Sequence, residues 1–226
     1  MSDMLQPFSA VVFDMDGLLV DTESLAMRSL MQVAAEMNID APEAFCHTMI
    51  GVPADHCRTL VQERFGSGFP ADHYLGAAGR HMEALIEAGA LALKPGVLEL
   101  LADLEALGIR KAVATSSSRA KADRHLRRTG ILGRFDAVIT RDDVERGKPH
   151  PDLFLKAAQA LGVPAGSCLA FEDSYNGVRA ACAAGMTVVM VPDLLPPTDE
   201  MRARCAAILT NLHAARPMVS ARLTAA

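Results

Sequence analysis

Apolar and polar positions alternate with different periods along the chain, and the period changes twice. The first short apolar run, Ala10–Phe13, has the length and continuity of a buried strand. From about residue 22 to residue 93 the apolar positions recur at helical spacing instead. Helices are predicted over 22–37, after Pro53 and over 74–88, and no strand signal of similar strength lies among them. One strand therefore precedes a long helical block.

After residue 94 the chain alternates between short apolar or β-branched runs and amphipathic stretches. Strands are predicted over 110–114, 137–140, 168–171 and 187–191, and helices over 97–107, 119–129, 151–161 and 174–184. Strands that alternate with helices indicate βαβ units and a mainly parallel sheet. The pattern as a whole predicts an α/β domain that is interrupted by a helical insertion. The segment from about residue 201 to residue 209 has no clear assignment.

Composition excludes several classes of protein. The 226 residues are half hydrophobic, yet no apolar run approaches the roughly 18–20 residues that span a bilayer. The first residues lack the features of a signal peptide, and a net charge of −5 gives no basic footprint for nucleic acid. The five cysteines form no Cys-x-x-Cys pair, which favours reduced thiols. We therefore expect a cytoplasmic protein that binds neither membrane nor nucleic acid.

Chemically active residues follow four of the predicted strands. Because the carboxyl ends of parallel strands open at one edge of the sheet, these residues are expected to lie together. Asp14 and Asp16 taken alone fit a metal site, a catalytic pair of acids or an ordinary turn. The later strands are followed by hydroxyls at 115–118, a lysine at 148 and a second acidic pair at 172–173. Taken together, these residues favour phosphoryl transfer with Mg²⁺, which prefers carboxylate ligands.

These residues resemble the four motifs of the haloacid dehalogenase superfamily. The stretches 14–21 (DMDGLLVD), 147–152 (GKPHPD) and 172–177 (EDSYNG) are similar to the subgroup that holds β-phosphoglucomutase and sugar-phosphate phosphatases. The resemblance runs from Val11 to about Val191. It implies a Rossmann-like, three-layer α/β/α core with a mainly parallel sheet and an inserted all-helical cap. The predicted core domain is 1–21 with 94–226, and the predicted cap domain is 22–93.

The resemblance also implies roles for individual residues. Asp14 would be the nucleophile that forms an aspartyl-phosphate, and Asp16 would protonate the leaving oxygen and then activate water. The expected phosphate-binding residues are Ser116, Ser117 and Lys148; Ser116 fits the motif best, with Thr115 and Ser117 as the alternatives. The expected Mg²⁺ ligands are Asp14, Asp16 through its carbonyl, Glu172 and Asp173. For Glu172, direct ligation and a supporting role are equally open.

Two departures from the mutase pattern decide between activities. The mutase-like subgroup has a histidine where this chain has Ala26, and a cap arginine where it has Ala54. We therefore predict a phosphatase of a small phosphorylated metabolite, such as a sugar, polyol or glycolate phosphate, with a mutase as the alternative. A signalling domain phosphorylated on aspartate would lack Asp16 and the helical block. The predicted enzyme is a monomer whose cap selects the substrate.

Overall fold

The computed structural model describes residues 8–49, 52 and 54–220. Six parallel strands form one sheet in the order β3-β2-β1-β4-β5-β6. The strands are β1 (Ala10–Phe13), β2 (Arg110–Ala114), β3 (Ala137–Ile139), β4 (Cys168–Glu172), β5 (Thr187–Met190) and β6 (Ala207–Ile208). This parallel sheet with its connecting helices confirms the predicted α/β fold.

The first strand lies in the middle of the sheet although it comes first in sequence. All four residues of β1 are buried, and the strand pairs with β2 on one side and β4 on the other. Its apolar side chains are buried on both faces of the sheet, as expected of a parallel strand that is covered on each side. Ala10 and Val12 belong to the same buried cluster as Phe154 and Val178. Asp14, which follows β1, therefore lies at the middle of the sheet edge.

The helices that belong with the sheet connect its strands or follow them. They are α5 (Val97–Ala106), α6 (Arg119–Arg128), α7 (Asp152–Ala160), α8 (Tyr175–Ala183), α9 (Asp199–Arg204) and α10 (Arg216–Ser220). Ser118 and Ser174 cap α6 and α8 through their side chains, which accept hydrogen bonds from backbone N–H groups of the first turn. The region of α9 and β6 has no clear assignment from its sequence pattern because both elements are very short.

The chain divides into two compact units. The first contains the sheet and is formed by the chain up to Val20 and from Leu93 onward, and the second comprises Asp21–Ala92. This second unit contains α1 (Thr22–Glu36), α2 (Glu43–His47), α3 (Ala54–Phe65) and α4 (Ala71–Glu87). Helices α1 and α4 pack together, and the buried Tyr74 hydroxyl donates to the Leu30 carbonyl over 3.0 Å. That the stretch 22–93 folds and acts as a separate cap domain stays a prediction. No helix among the described residues is both long and apolar enough to cross a membrane.

Candidate active site

The ends of β1, β2 and β4 lie side by side. Phe13 is in register with Val113 of β2 and with Phe171 of β4. The Asp14 backbone N–H donates to the Phe171 carbonyl over 3.0 Å, which fixes the chain just beyond β1. Glu172 is the last residue of β4. The register therefore brings Asp14 and Glu172 to the same edge of the sheet.

Lys148 joins these two carboxylates. Its Nζ donates a short hydrogen bond to Asp14 Oδ1 and another, of 2.6 Å, to Glu172 Oε1. The side chains of all three residues are at least nine-tenths buried. Burial by itself would lower the pKa of Lys148, but the charges of Asp14 and Glu172 raise it above its usual range. The lysine is consequently a permanent cation in this site.

Asp14 shares this one cation with other acids. Its burial raises the pKa, Lys148 lowers it, and the negative charges of Glu172 and Asp16 raise it again. The net result without a metal is a pKa of about 8. A second cation near the carboxylate would restore its ionised form.

Glu172 is the most firmly held acid of the site. Its Oε2 accepts three hydrogen bonds of 3.0 Å each, from the N–H groups of Asp173 and Ser174 and from the Ser174 hydroxyl. Its Oε1 accepts the bond from Lys148. With both oxygens occupied, Glu172 is suited to positioning Lys148. Its direct ligation of a metal stays a prediction.

Three acids at this edge can offer oxygens to one metal ion. One oxygen from each of Asp14, Glu172 and Asp173 lies within 4.8 Å of the other two. The first two residues are buried and Asp173 is partly exposed. Hard carboxylate oxygens in such a group fit Mg²⁺, which completes its octahedron with water and substrate oxygens. The donor set therefore fits the cofactor that the sequence predicts.

The Asp16 side chain belongs to a different group of contacts. Asp16 Oδ2 accepts a hydrogen bond of 2.6 Å from the Ser117 hydroxyl and one of 3.5 Å from the Thr115 hydroxyl. Its Oδ1 lies 3.6 Å from Lys121 Nζ and 3.8 Å from His125 Nδ1. Burial would raise the pKa of this carboxyl. The proximity of His125, the charge of Lys121 and the Ser117 hydroxyl outweigh burial, so the pKa lies below its usual range.

The predicted site residues thus fall into two neighbouring groups. Asp14, Lys148, Glu172 and Asp173 meet around the possible metal position, and Ser117 meets Asp16. Ser116 is exposed, whereas Thr115 is fully buried directly after β2.

Sequence reasoning did not find two residues of α6, Lys121 and the buried His125. Only the packing of α6 brings them to Asp16. No motif signals either position.

Comparison with known proteins identifies the family. The family model described as haloacid dehalogenase-like hydrolase matches residues 11–191. The chain belongs to this family. That membership confirms the predicted superfamily and shows that the chain is an enzyme of a hydrolase family.

Named relatives agree with this assignment. The chain is 31% identical over 177 residues to the phosphorylated carbohydrates phosphatase of Thermotoga maritima, which covers 78% of this chain and 82% of that protein. It is 36% identical over 193 residues to the chloroplastic protein SUPPRESSOR OF QUENCHING 1 of Arabidopsis thaliana. That match covers 83% of this chain but spans only 18% of the relative's length.

A solved structure is similar over nearly the whole chain. The crystal structure of a haloacid dehalogenase family hydrolase from Deinococcus radiodurans, with bound phosphate and sodium, superposes with a TM-score of 0.84. The two chains are 28% identical, and the match covers 96% of each.

Proposed function

We propose that the enzyme is a Mg²⁺-dependent phosphatase that hydrolyses a small phosphorylated metabolite through an aspartyl-phosphate at Asp14. The observation that carries this proposal is the contact of Lys148 with both Asp14 and Glu172, next to Asp173. A buried carboxylate held by a cation, with further acids within metal-bridging distance, is suited to attack a phosphoryl group. The phosphatase named among the relatives supports the same class of reaction.

In the first step an Asp14 carboxylate oxygen attacks phosphorus, and the bond from phosphorus to the substrate oxygen breaks. In the free site the pKa of Asp16 is low, but the negative charge of a bound phosphoryl group would raise it, so that Asp16 can carry a proton in the substrate complex. Asp16 gives that proton to the leaving oxygen, so an alcohol departs and an acyl phosphate remains on Asp14. In the second step water attacks the phosphorus of the acyl phosphate while Asp16 takes a proton from the water. Inorganic phosphate leaves, and both aspartates return to their starting forms.

Mg²⁺ would be held by Asp14 and Asp173 together with the backbone carbonyl of Asp16. When bound, it supplies positive charge that favours the ionised form of Asp14 and offsets the charge of the phosphoryl oxygens. We assign Glu172 mainly to fixing Lys148, because hydrogen bonds already occupy both of its oxygens.

The phosphoryl oxygens would meet Lys148 and the segment that follows β2. Ser116 and Ser117, named from the sequence, remain in this role. We keep Thr115, the other alternative from the sequence, because its buried hydroxyl lies directly after β2 and contacts Asp16. Lys148 would thus serve both to hold Asp14 and to neutralise the transferring group.

A phosphate-release screen tests the proposal. Sugar, polyol and 2-hydroxy-acid phosphates are incubated with the enzyme and Mg²⁺, or with a chelator, and inorganic phosphate is measured. We expect Mg²⁺-dependent release from at least one class, and a labelled phosphoenzyme that hydroxylamine cleaves. The Asp14→Asn variant should show neither. If Asp14→Asn hydrolyses every substrate as fast as the wild type, the assignment of the nucleophile is wrong.

The mutase alternative is tested by the same preparation. Formation of an isomeric sugar phosphate with a bisphosphate primer, without phosphate release, would favour the mutase. The monomeric state and the cytoplasmic location stay predictions, for gel filtration and for localisation in cells respectively.

A further inference from the structure

Asp193 lies close to the proposed metal site but has no role in the mechanism above. It comes three residues after β5, and β5 pairs with β4 so that Met190 is in register with Glu172. The chain therefore leaves β5 at the same sheet edge where Glu172 and Asp173 leave β4.

One oxygen of the Asp193 carboxylate is satisfied and the other is not. Oδ1 accepts a hydrogen bond of 2.6 Å from Lys94 Nζ. Oδ2 is buried and accepts no hydrogen bond from any residue in the described part of the chain. The side chain as a whole is only 10% exposed. A buried carboxylate oxygen without a donor is costly, so a donor from outside the protein is expected there.

The unsatisfied oxygen faces the same space as Asp173. A Cβ added to Gly17 would overlap Asp173 Oδ2 and would lie 3.4 Å from Asp193 Oδ2. The two carboxylates thus approach one small space beside the Gly17 backbone, directly after Asp16. Gly17 has φ +81°, a conformation that other residues rarely adopt. Glycine at this position leaves that space to the Asp173 carboxylate.

Asp193 is not one of the three acids whose oxygens lie within 4.8 Å of one another. It is therefore placed outside the direct ligands rather than among them. Mg²⁺ keeps several of its waters when proteins bind it, and those waters are strong hydrogen-bond donors. Acids that accept from them orient the ion and raise its affinity.

We propose that Asp193 Oδ2 accepts a hydrogen bond from a water molecule carried by the metal ion, while the other oxygen of the same carboxylate accepts its hydrogen bond from Lys94. This inference rests on the proposed metal site. The competing explanation is that Lys94 and Asp193 form only a structural ion pair.

Metal binding separates these explanations without any assay of activity. Mn²⁺ is titrated into the metal-free, full-length protein, and free Mn²⁺ is followed by electron paramagnetic resonance. Asp193→Asn should bind Mn²⁺ roughly 10- to 100-fold more weakly than the wild type. An asparagine can keep the bond from Lys94 through its carbonyl, but its NH₂ group cannot accept from a water. Lys94→Met should bind at least as tightly as the wild type, because it removes a cation and leaves the carboxylate.

Asp103→Asn is the matched control. Asp103 is part-buried and accepts a hydrogen bond of 2.6 Å from Arg216 Nε. Asp103 lies in α5 and Arg216 begins α10, so neither residue belongs to the segments that follow β1, β4 and β5. The control loses the same charge and a similar ion pair, and its Mn²⁺ affinity should equal that of the wild type. Thermal unfolding in chelator shows that each variant is folded before titration.

Each outcome decides the inference. Unchanged affinity in Asp193→Asn overturns it. An equal loss of Mn²⁺ affinity in Lys94→Met and Asp193→Asn also overturns it, because the ion pair then acts only by stabilising the local structure. If the wild type binds no Mn²⁺, the proposed metal site itself fails. If Asp14→Asn and Asp173→Asn abolish binding while Asp193→Asn only weakens it, the site and the inference both hold.

Discussion

Replacing Gly177 with alanine should disrupt the acid that holds Lys148. Gly177 lies in the first turn of α8, and a Cβ built there would overlap the carboxylate of Glu172. The end of a glutamate side chain normally moves away at little cost. Glu172 is different because it is fully buried and its carboxylate accepts four hydrogen bonds. Alanine at position 177 would force that carboxylate out of its bonds.

The expected cost follows from what the displaced carboxylate loses. Breaking a buried ion pair and leaving a charge without its partner costs about 3–5 kcal/mol. For a chain of this length that corresponds to a fall in Tm of roughly 6–20 °C. Activity should fall as well, because Lys148 would lose one of the two carboxylates that fix it.

Thermal unfolding of Gly177→Ala is compared with that of Gly79→Ala. Gly79 lies inside α4, and a Cβ added there meets nothing within 4 Å. Alanine at an open helical position stabilises by about 0.5–1 kcal/mol, so this control should unfold no earlier than the wild type. In a Glu172→Ala background the Gly177→Ala change should cost almost nothing. Equal stability of the two alanine variants in the wild-type background would refute the argument.

Four further predictions concern the proposed chemistry. Asp16→Asn should slow phosphate release by about 10²–10⁴-fold, and less for an aryl phosphate than for an alkyl phosphate, because a good leaving group needs no proton. The same variant should bind Mn²⁺ almost normally in a direct titration. Mg²⁺ at about 100 times its dissociation constant should stabilise the protein by about 2.7 kcal/mol, seen as a rise in Tm that chelator reverses. Finally, the raised pKa of Asp14 means that the folded, metal-free protein holds a proton which the unfolded chain has released. Its Tm should therefore fall as pH rises from about 4 through about 8, and Mg²⁺ should remove most of that fall.

The sequence predicted the features that depend on local pattern. The strand at Ala10–Phe13 was recognised because a continuous apolar run ended in acids, and the later βαβ units placed it in a parallel sheet. Helix α2 was missed because it has five residues and no amphipathic period. Strand β6 has two residues, too few to show any period.

The pattern of apolar and polar positions does not predict which side chains meet when they are far apart in sequence. Lys121 and His125 reach Asp16 from α6, more than a hundred residues away. Asp193 is a different kind of omission. It follows the apolar strand β5 closely, as Asp14 follows β1. The rule that active residues follow the ends of parallel strands therefore applies to Asp193 as well. What the rule cannot supply is the direction of the side chain, which decides whether such an acid faces the site or the solvent.

Burial and neighbouring negative charges act on two acids at this sheet edge. The acids are Asp14, Glu172, Asp173 and Asp193, and the lysines bonded to them are Lys148 and Lys94. Burial is the largest cause of the raised pKa of Asp14, and the negative charges of Glu172 and Asp16 raise it further, while the buried Oδ2 of Asp193 lacks a donor among the described residues. A hydrated divalent cation would relieve both at once, because its charge favours ionised Asp14 and its water donates to Asp193. The two perturbations should therefore disappear together on metal binding, and they should persist together in a variant that lacks the direct ligand Asp173.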